Sequence, residues 1–130
     1  MDEIIHNLWL GDIKDAIAAP SDFVRICVLE TLPPQAAPNT THIPILTVNN
    51  GIVEAMPTQL MIAARLISRL LSSGCKVLVH CMAGVERSPL TVVWYLYKEC
   101  GMSFDDAYKF VVEKRPIVQD RRAWLSGRLL

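Results

Sequence analysis

The feature that most constrains the fold is a short apolar run, Lys76–His80, which stands between two segments of helical periodicity. Its sequence, KVLVH, is typical of a central strand that is buried on both faces. Before it, residues 57–74 place their apolar side chains on one helical face, and Gly74 is typical of a helix end. After it, a second helix is expected to begin at Ser88-Pro89 and to continue to Tyr97. The close succession of helix, strand and helix predicts a layered α/β domain.

Weaker patterns predict the remaining elements. Residues 24–29 form a second candidate for a buried strand, and shorter strands are expected at 8–10 and 42–46. Ser103 to Asp106 has the pattern of a capping box for a helix that runs to about Lys114. A last helix is expected over 119–129. Together these patterns predict a small, mostly parallel central sheet flanked by helices.

Composition limits the functional classes. The chain has 130 residues, 52% hydrophobic and 20% charged, so we expect a single folded domain over residues 1–130. Thirteen basic and thirteen acidic residues give zero net charge, which argues against nucleic-acid or anionic-membrane partners. No stretch approaches the roughly 18 apolar residues of a membrane helix, and the acidic N-terminus is unlike a secretory signal. We therefore expect a cytoplasmic protein, and nothing demands more than a monomer.

The four cysteines do not suggest a metal site. Cys27, Cys75, Cys81 and Cys100 form no C-x-x-C pair, and no histidines stand at zinc spacing, so we expect free thiols and no metal or cofactor. A strand from Cys75 to Cys81 would span about 20 Å, which is far beyond disulfide reach. Cys27 is expected to be a buried structural thiol.

The segment between the central strand and the second helix, HCMAGVERS over residues 80–88, is a candidate phosphate site. A loop that enters a helix N-terminus points successive backbone N–H groups inward, and the helix dipole adds partial positive charge. Gly84 allows a positive φ, and Arg87 offers a planar fork for two phosphate oxygens. The phosphate-binding residues would be Met82, Ala83, Gly84, Val85, Glu86 and Arg87.

The residues that flank this loop suggest nucleophilic chemistry. The same electrostatic field favours a thiolate at Cys81, which could attack phosphorus and form a cysteinyl phosphate. Ser88 could donate a hydrogen bond to the sulfur as it departs. His80 precedes the nucleophile on the strand, so its side chain is expected to point away and to fix the loop. A bare C-x5-R pattern is weak evidence for a phosphate site, because a buried structural cysteine followed by a surface arginine produces the same pattern. The full string after a strand and before a helix is much more demanding.

These residues carry a family resemblance. VLVHCMAGVERSP resembles the signature of cysteine-based protein tyrosine phosphatases, most closely the small dual-specificity branch. HNLWLGDIKDA resembles the first strand and turn of that branch, and MSFDDAYKFVVEKRPIV resembles the helix and loop after its phosphate loop. The resemblance implies a metal-independent phosphomonoester hydrolase in which Cys81 is the nucleophile, Arg87 binds phosphate and Ser88 assists hydrolysis. It also implies that residues 116–120 close one side of the loop.

The chain departs from this family in its general acid. Most members carry an aspartate about thirty residues before the nucleophile, where this chain has Asn49 and Asn50. Two carboxylates are in range: Glu86 inside the loop, and Glu54 ahead of the helix that begins near residue 57. A carboxyl that faces a bound phosphate is favoured in its protonated form, which suits an acid. The acid is therefore Glu86, Glu54 or neither.

The loop also bears on the substrate. Its variable positions bring no lysine and no second arginine, which favours a phosphorylated protein or a small aryl phosphate over a highly charged head group. The short chain leaves little room for a deep pocket, so phosphoserine and phosphothreonine are expected beside phosphotyrosine.

Two other functions stay open. A catalytically weak module that binds phosphorylated residues would explain the missing aspartate, and a rhodanese-type sulfur carrier also uses a loop thiolate. The basic tail is expected to form a solvated helix face, with a docking patch for an acidic partner as the alternative; its arginines are Arg115, Arg121, Arg122 and Arg128.

Overall fold

The computed structural model describes residues 1–125. Within them, the strands are β1 (Asp2–Ile5), β2 (Leu8–Gly11), β3 (Phe23–Cys27), β4 (Thr40–His42), β5 (Leu46–Asn49), β6 (Ile52–Ala55) and β7 (Lys76–His80). The helices are α1 (Ile13–Ala18), α2 (Pro57–Ser72), α3 (Arg87–Lys98) and α4 (Phe104–Lys114), followed by a 3-10 turn (Arg122–Leu125).

The main sheet has the order β1-β2-β7-β3-β4, with β7 at its centre. β7 runs parallel to both β2 and β3, β4 runs parallel to β3, and β1 is an antiparallel edge. This confirms the predicted mostly parallel sheet. Parallel strands have their carboxyl ends at one edge, so the loops that follow β2, β3 and β7 meet there.

Helices cover both faces of this sheet. Val77 and Val79 of β7 belong to the main core together with the apolar faces of α2, α3 and α4. Leu78 points to the opposite face, where it packs with Ala16 of α1 and Phe23. The alternation along β7 explains why the strand is apolar throughout, since a central strand is buried on both sides. No helix within residues 1–125 is long and apolar enough to cross a membrane.

Arg25 of β3 is a buried cation that fastens α1 to the sheet. The residue is 2% exposed. Its guanidinium donates to the carbonyl oxygens of Ala16 (2.7 Å), Phe23 (2.8 Å), Pro20 (3.2 Å) and Ala19, and to Asn39 Oδ1 (3.2 Å). Oxygen acceptors compensate the guanidinium for lost hydration, as a buried charge requires. The sequence pattern contained no signal for this arrangement.

Several predicted boundaries were wrong. β3 ends at Cys27, two residues early, and the strand predicted over 42–46 is divided between the end of β4 and the start of β5. Pro44 lies between them and has no N–H for a ladder, and its carbonyl accepts a hydrogen bond from Gln59 Nε2 (3.0 Å). Neither the antiparallel hairpin of β5 and β6 nor its Asn50-Gly51 turn was predicted, although this dipeptide is typical of such turns.

The predictions for the last two helices were only partly right. Ser103 Oγ accepts a hydrogen bond from the Asp106 N–H (3.1 Å), so the start of α4 is confirmed. The helix predicted over 119–129 is a 3-10 turn at Arg122–Leu125, and residues 126–129 lie outside the described part of the chain. Asp120 Oδ1 accepts from the Arg122 N–H (2.9 Å), and this local turn competes with a regular helix.

Candidate active site

The candidate phosphate loop, residues 81–86, joins the carboxyl end of β7 to the first residue of α3. Cys81 is 2% exposed. Its Sγ accepts a hydrogen bond from the Gly84 N–H (3.3 Å) and lies 3.2 Å from Ser88 Oγ. The loop therefore curls around the sulfur at a helix N-terminus. Backbone N–H groups at a helix N-terminus favour the binding of an anionic ligand.

Gly84 of this loop packs closely against Gly11 at the end of β2. Its φ is +67°, and a Cβ there would lie 2.7 Å from Gly11 O and 2.6 Å from Arg115 Nη2. Any side chain would therefore collide with backbone as well as adopt an unfavourable φ. The end of β2 and the loop are packed against each other at atomic contact distance.

Arg115, which follows α4, donates hydrogen bonds to the backbone of the loop. The residue is 7% exposed. Its Nε donates to Gly84 O (2.8 Å), Nη2 donates to Ala83 O (3.3 Å), and Nη1 pairs with Asp2 Oδ2 (2.8 Å). The expectation of a solvated helix face was wrong for Arg115, because these acceptors come from segments distant in sequence. Nothing in its own neighbourhood in the sequence distinguishes it from the arginines nearby.

The segment after α4 also contacts the loop. The Gln119 N–H donates to Val85 O (2.9 Å), and Arg121 Nε donates to Glu86 Oε2 (2.5 Å). The side chain of Glu86 is therefore engaged by a guanidinium from outside the loop. These contacts agree with the expectation that residues 116–120 close one side of it.

Arg87 contacts a carboxylate that the sequence did not single out. Its Nε donates to Glu30 Oε1 (2.8 Å), with side-chain exposures of 29% and 40%. Glu30 lies in the segment that follows β3, at the same sheet edge as the loop. The contact fixes one edge of the Arg87 guanidinium at this edge of the sheet. Its only sequence signal is that Glu30 follows a predicted buried strand.

The two candidate acids lie on different elements. Glu86 immediately precedes α3, and Glu54 is a half-buried residue of β6 paired with Thr47 of β5. Asn49 ends β5 and Asn50 begins the hairpin turn. β6 packs against the 3-10 turn that follows Arg121, the residue whose side chain contacts Glu86. Both glutamates therefore stay candidates.

His80 supports the loop from the opposite face of the sheet. It is 2% exposed, and its Nδ1 lies 3.2 Å from Cys81 O. It also borders a small cavity against Ala16 and Ile17 of α1. Burial lowers the pKa of His80, an effect only partly offset by the contact with the Cys81 carbonyl. A neutral ring on the α1 side suits the expected supporting role.

All four cysteines are free. Cys27 pairs in register with His80, and burial raises the pKa of its thiol. Among residues 1–125 there is no group of three histidine, cysteine or acidic side chains that could hold a metal ion.

Comparison with known proteins identifies the family. Residues 13–126 match the family described as "Dual specificity phosphatase, catalytic domain". The chain belongs to this family. The candidate phosphate loop, Cys81 and Arg87 of this dual-specificity phosphatase domain all fall within the matched range.

Individual relatives agree with this assignment. Mouse dual specificity protein phosphatase 8 is 36% identical over 85 residues, which are 65% of this chain and 13% of that protein. The chain thus spans a small part of that relative. Putative tyrosine phosphatase 123R of Invertebrate iridescent virus 6 is 33% identical over 119 residues, 89% of this chain and 80% of that protein.

The fold agrees with solved structures of the family. The crystal structure of human DUSP28 superimposes with a TM-score of 0.77 at 21% identity, covering 99% of this chain and 92% of that one. The crystal structure of a human tyrosine phosphatase-like serine/threonine/tyrosine-interacting protein also gives a TM-score of 0.77, at 23% identity. At these identities the likeness establishes the fold.

Proposed function

We propose that this chain is a metal-independent protein phosphatase that hydrolyses phosphotyrosine, phosphoserine and phosphothreonine through a cysteinyl-phosphate intermediate. The observation that carries the proposal is the position of Cys81 Sγ. It accepts the Gly84 N–H, lies beside Ser88 Oγ and stands at the N-terminus of the helix that begins with Arg87. A nucleophile, backbone N–H groups that can bind an anion, and an arginine that can bind phosphate in a bidentate manner thus lie within residues 81–87.

In the first step, the Cys81 thiolate attacks phosphorus. The S–P bond forms while the P–O bond to the substrate breaks, and the departing oxygen takes a proton from a general acid. The loop N–H groups and the Arg87 guanidinium stabilise the charge on the remaining phosphoryl oxygens. Phosphate binding must compete with Glu30 for the Nε of Arg87, or use the two Nη atoms.

In the second step, water attacks the cysteinyl phosphate. The S–P bond breaks, inorganic phosphate leaves, and the sulfur returns to the thiolate. Ser88 Oγ lies 3.2 Å from this sulfur and can donate to it as negative charge returns. The group that gave a proton in the first step can accept one from the attacking water.

For the general acid we retain Glu86 and Glu54. Glu86 belongs to the loop itself, but Arg121 engages its carboxylate, so substrate binding would have to loosen that pair. Glu54 lies on β6, the hairpin strand that follows Asn49 and Asn50. Amide side chains cannot supply the proton that the leaving oxygen needs.

One observation favours a second function. The hairpin carries asparagines, and Glu86 is paired with Arg121. The phosphate-binding loop is therefore formed, but no residue is established as the general acid. A module that binds phosphorylated residues with little turnover needs only the phosphate-binding loop.

The test is hydrolysis of an aryl phosphate in the presence of a chelator, across pH. We expect Cys81→Ser to lose activity by more than about a thousandfold. Cys100→Ser, which changes an exposed cysteine outside the loop, is the matched control and should keep it. One limb of the pH–rate profile reports the ionisation of the general acid. If Glu86→Gln or Glu54→Gln loses that limb, the substituted residue is the general acid. A parent protein that binds vanadate without turnover would instead establish the binding module.

A further inference from the structure

A groove of about 430 Å³ opens beside the phosphate loop. One wall is the segment that follows β3, and the other is formed by the loop residue Met82 and by the start of α1. Its apolar lining comes from Ile13, Leu29, Leu32, Pro33, Pro34 and Met82. Leu32 is 41% exposed and Met82 is 55% exposed, so apolar surface faces solvent here. The mechanism above leaves this surface without a role.

The groove is continuous with the candidate active site at two points. Met82 directly follows Cys81, and Glu30, which also lines the groove, accepts a hydrogen bond from Arg87 Nε (2.8 Å). An extended peptide advances about 3.3 Å per residue. A peptide whose phosphate lies on Arg87 would therefore bring a residue one or two positions away to the groove.

The walls are fixed by hydrogen bonds and by proline. The Ile13 N–H donates to Met82 O (3.1 Å), which joins α1 to the phosphate loop. On the other side, His42 Nε2 lies 2.6 Å from Leu29 O, and the Ala36 N–H donates to Pro33 O (3.0 Å). A preformed groove needs little ordering on binding, so more of the apolar contact contributes to affinity.

Charge selects among possible occupants. Among the described lining residues, the charged side chain is Glu30, a carboxylate whose Oε1 is engaged by Arg87. An acidic side chain in the groove would be repelled by this carboxylate. A basic side chain would be buried mostly against apolar surface. An uncharged apolar side chain fits both the lining and the charge.

We propose that this groove binds an apolar side chain one or two positions from the phosphorylated residue of the substrate. The proposal rests on the proposed phosphatase function and deepens it, because it makes the flanking sequence a determinant of substrate choice. Leucine-sized and aromatic side chains are the chemical class it takes, and acidic ones are disfavoured.

The test uses phosphotyrosine peptides that carry Leu, Ala or Asp at the two positions on each side. At the position that reaches the groove, kcat/KM should be about tenfold higher for Leu than for Ala, with Asp lowest. In Leu32→Ala the Leu-to-Ala ratio should fall to about two. Ile62→Ala is the matched control, since Ile62 is 44% exposed on α2 outside the groove, and it should keep the parent ratio. Equal kcat/KM for Leu and Ala at every position would overturn the proposal.

A small aryl phosphate, which does not reach the groove, separates this proposal from the catalytic one. Turnover of the aryl phosphate without any Leu preference refutes the groove alone. If the parent turns over neither substrate, the phosphatase proposal fails. The peptides are then compared by calorimetric binding to the parent, where about tenfold tighter binding of the Leu peptide supports the groove and equal binding refutes it.

Discussion

Replacing Gly84 with alanine tests how closely the phosphate loop is fitted to β2. The new Cβ would lie 2.7 Å from Gly11 O and 2.6 Å from Arg115 Nη2, where ordinary contacts begin near 3.4 Å. The loop must therefore move by roughly 0.7 Å or more. Gly101 provides a matched control: its φ is +73° against +67° for Gly84, and a Cβ there meets nothing within 4 Å.

The two substitutions share one cost and differ in the other. A left-handed φ costs alanine about 1–2 kcal/mol at either position. At Gly84, overlap with backbone adds about 1–3 kcal/mol. We therefore expect Gly101→Ala to lower the free energy of unfolding by about 1–2 kcal/mol, and Gly84→Ala by about 2–5 kcal/mol.

Activity should separate the two variants more sharply. A shift of the Gly84 N–H moves the donor that lies 3.3 Å from Cys81 Sγ, and displacements near 1 Å cost up to about a hundredfold in rate. Urea unfolding gives the stabilities, and aryl phosphate hydrolysis at a temperature where both variants are folded gives the rates. If Gly84→Ala is as stable and as active as Gly101→Ala, the close fit between loop and β2 has no functional importance.

Three further predictions concern buried polar groups. Arg115→Met leaves the carbonyls of Gly84 and Ala83 without their donor, so urea unfolding should show a loss of about 3 kcal/mol; a loss below about 1 kcal/mol would contradict this. Arg25→Met removes the donor of buried carbonyls and should cost about 3 kcal/mol or more in the same assay, while Arg65→Met, an exposed arginine of α2, should cost little. The third concerns pH. The folded-state pKa of His80 lies below its ordinary value of 6.5, so the unfolded chain binds more protons and stability falls as the pH drops below about 6.5. His80→Gln should make that slope shallower, and unchanged slopes in pH-dependent unfolding would refute it.

The local elements were predictable because their signals are local. Short stretches of sequence contain the signals for β7, for the apolar face of α2 and for the loop around Cys81. The predicted sheet, the central position of β7 and the strand-loop-helix order were therefore right. Within the described residues, the start of the helix predicted over 119–129 was wrong for a local reason too, since Asp120 accepts a hydrogen bond from the Arg122 N–H and forms a turn in place of a helix.

The long-range contacts of the site were not predictable in the same way. Arg115 and Gly84 are separated by 31 residues, and Arg87 and Glu30 by 57. Their pairing follows from which loops meet at one sheet edge, and single-residue patterns do not encode it. The roles expected of Cys81 and Arg87 came from the chemistry of the loop and from the family resemblance, whereas the general acid stayed open because this chain departs from the family pattern there.

The central claim is that the sulfur of Cys81 becomes phosphorylated during turnover. Its most direct test is the intact mass of Ser88→Ala, acid-quenched during hydrolysis of an aryl phosphate. This variant lacks the hydroxyl 3.2 Å from the sulfur, so breakdown of the intermediate should slow and the intermediate should accumulate. We predict a mass increase of one phosphoryl group that maps to the peptide containing Cys81 and is absent in Ser88→Ala combined with Cys81→Ser. Turnover with no such adduct, or with the adduct on another residue, would contradict the mechanism.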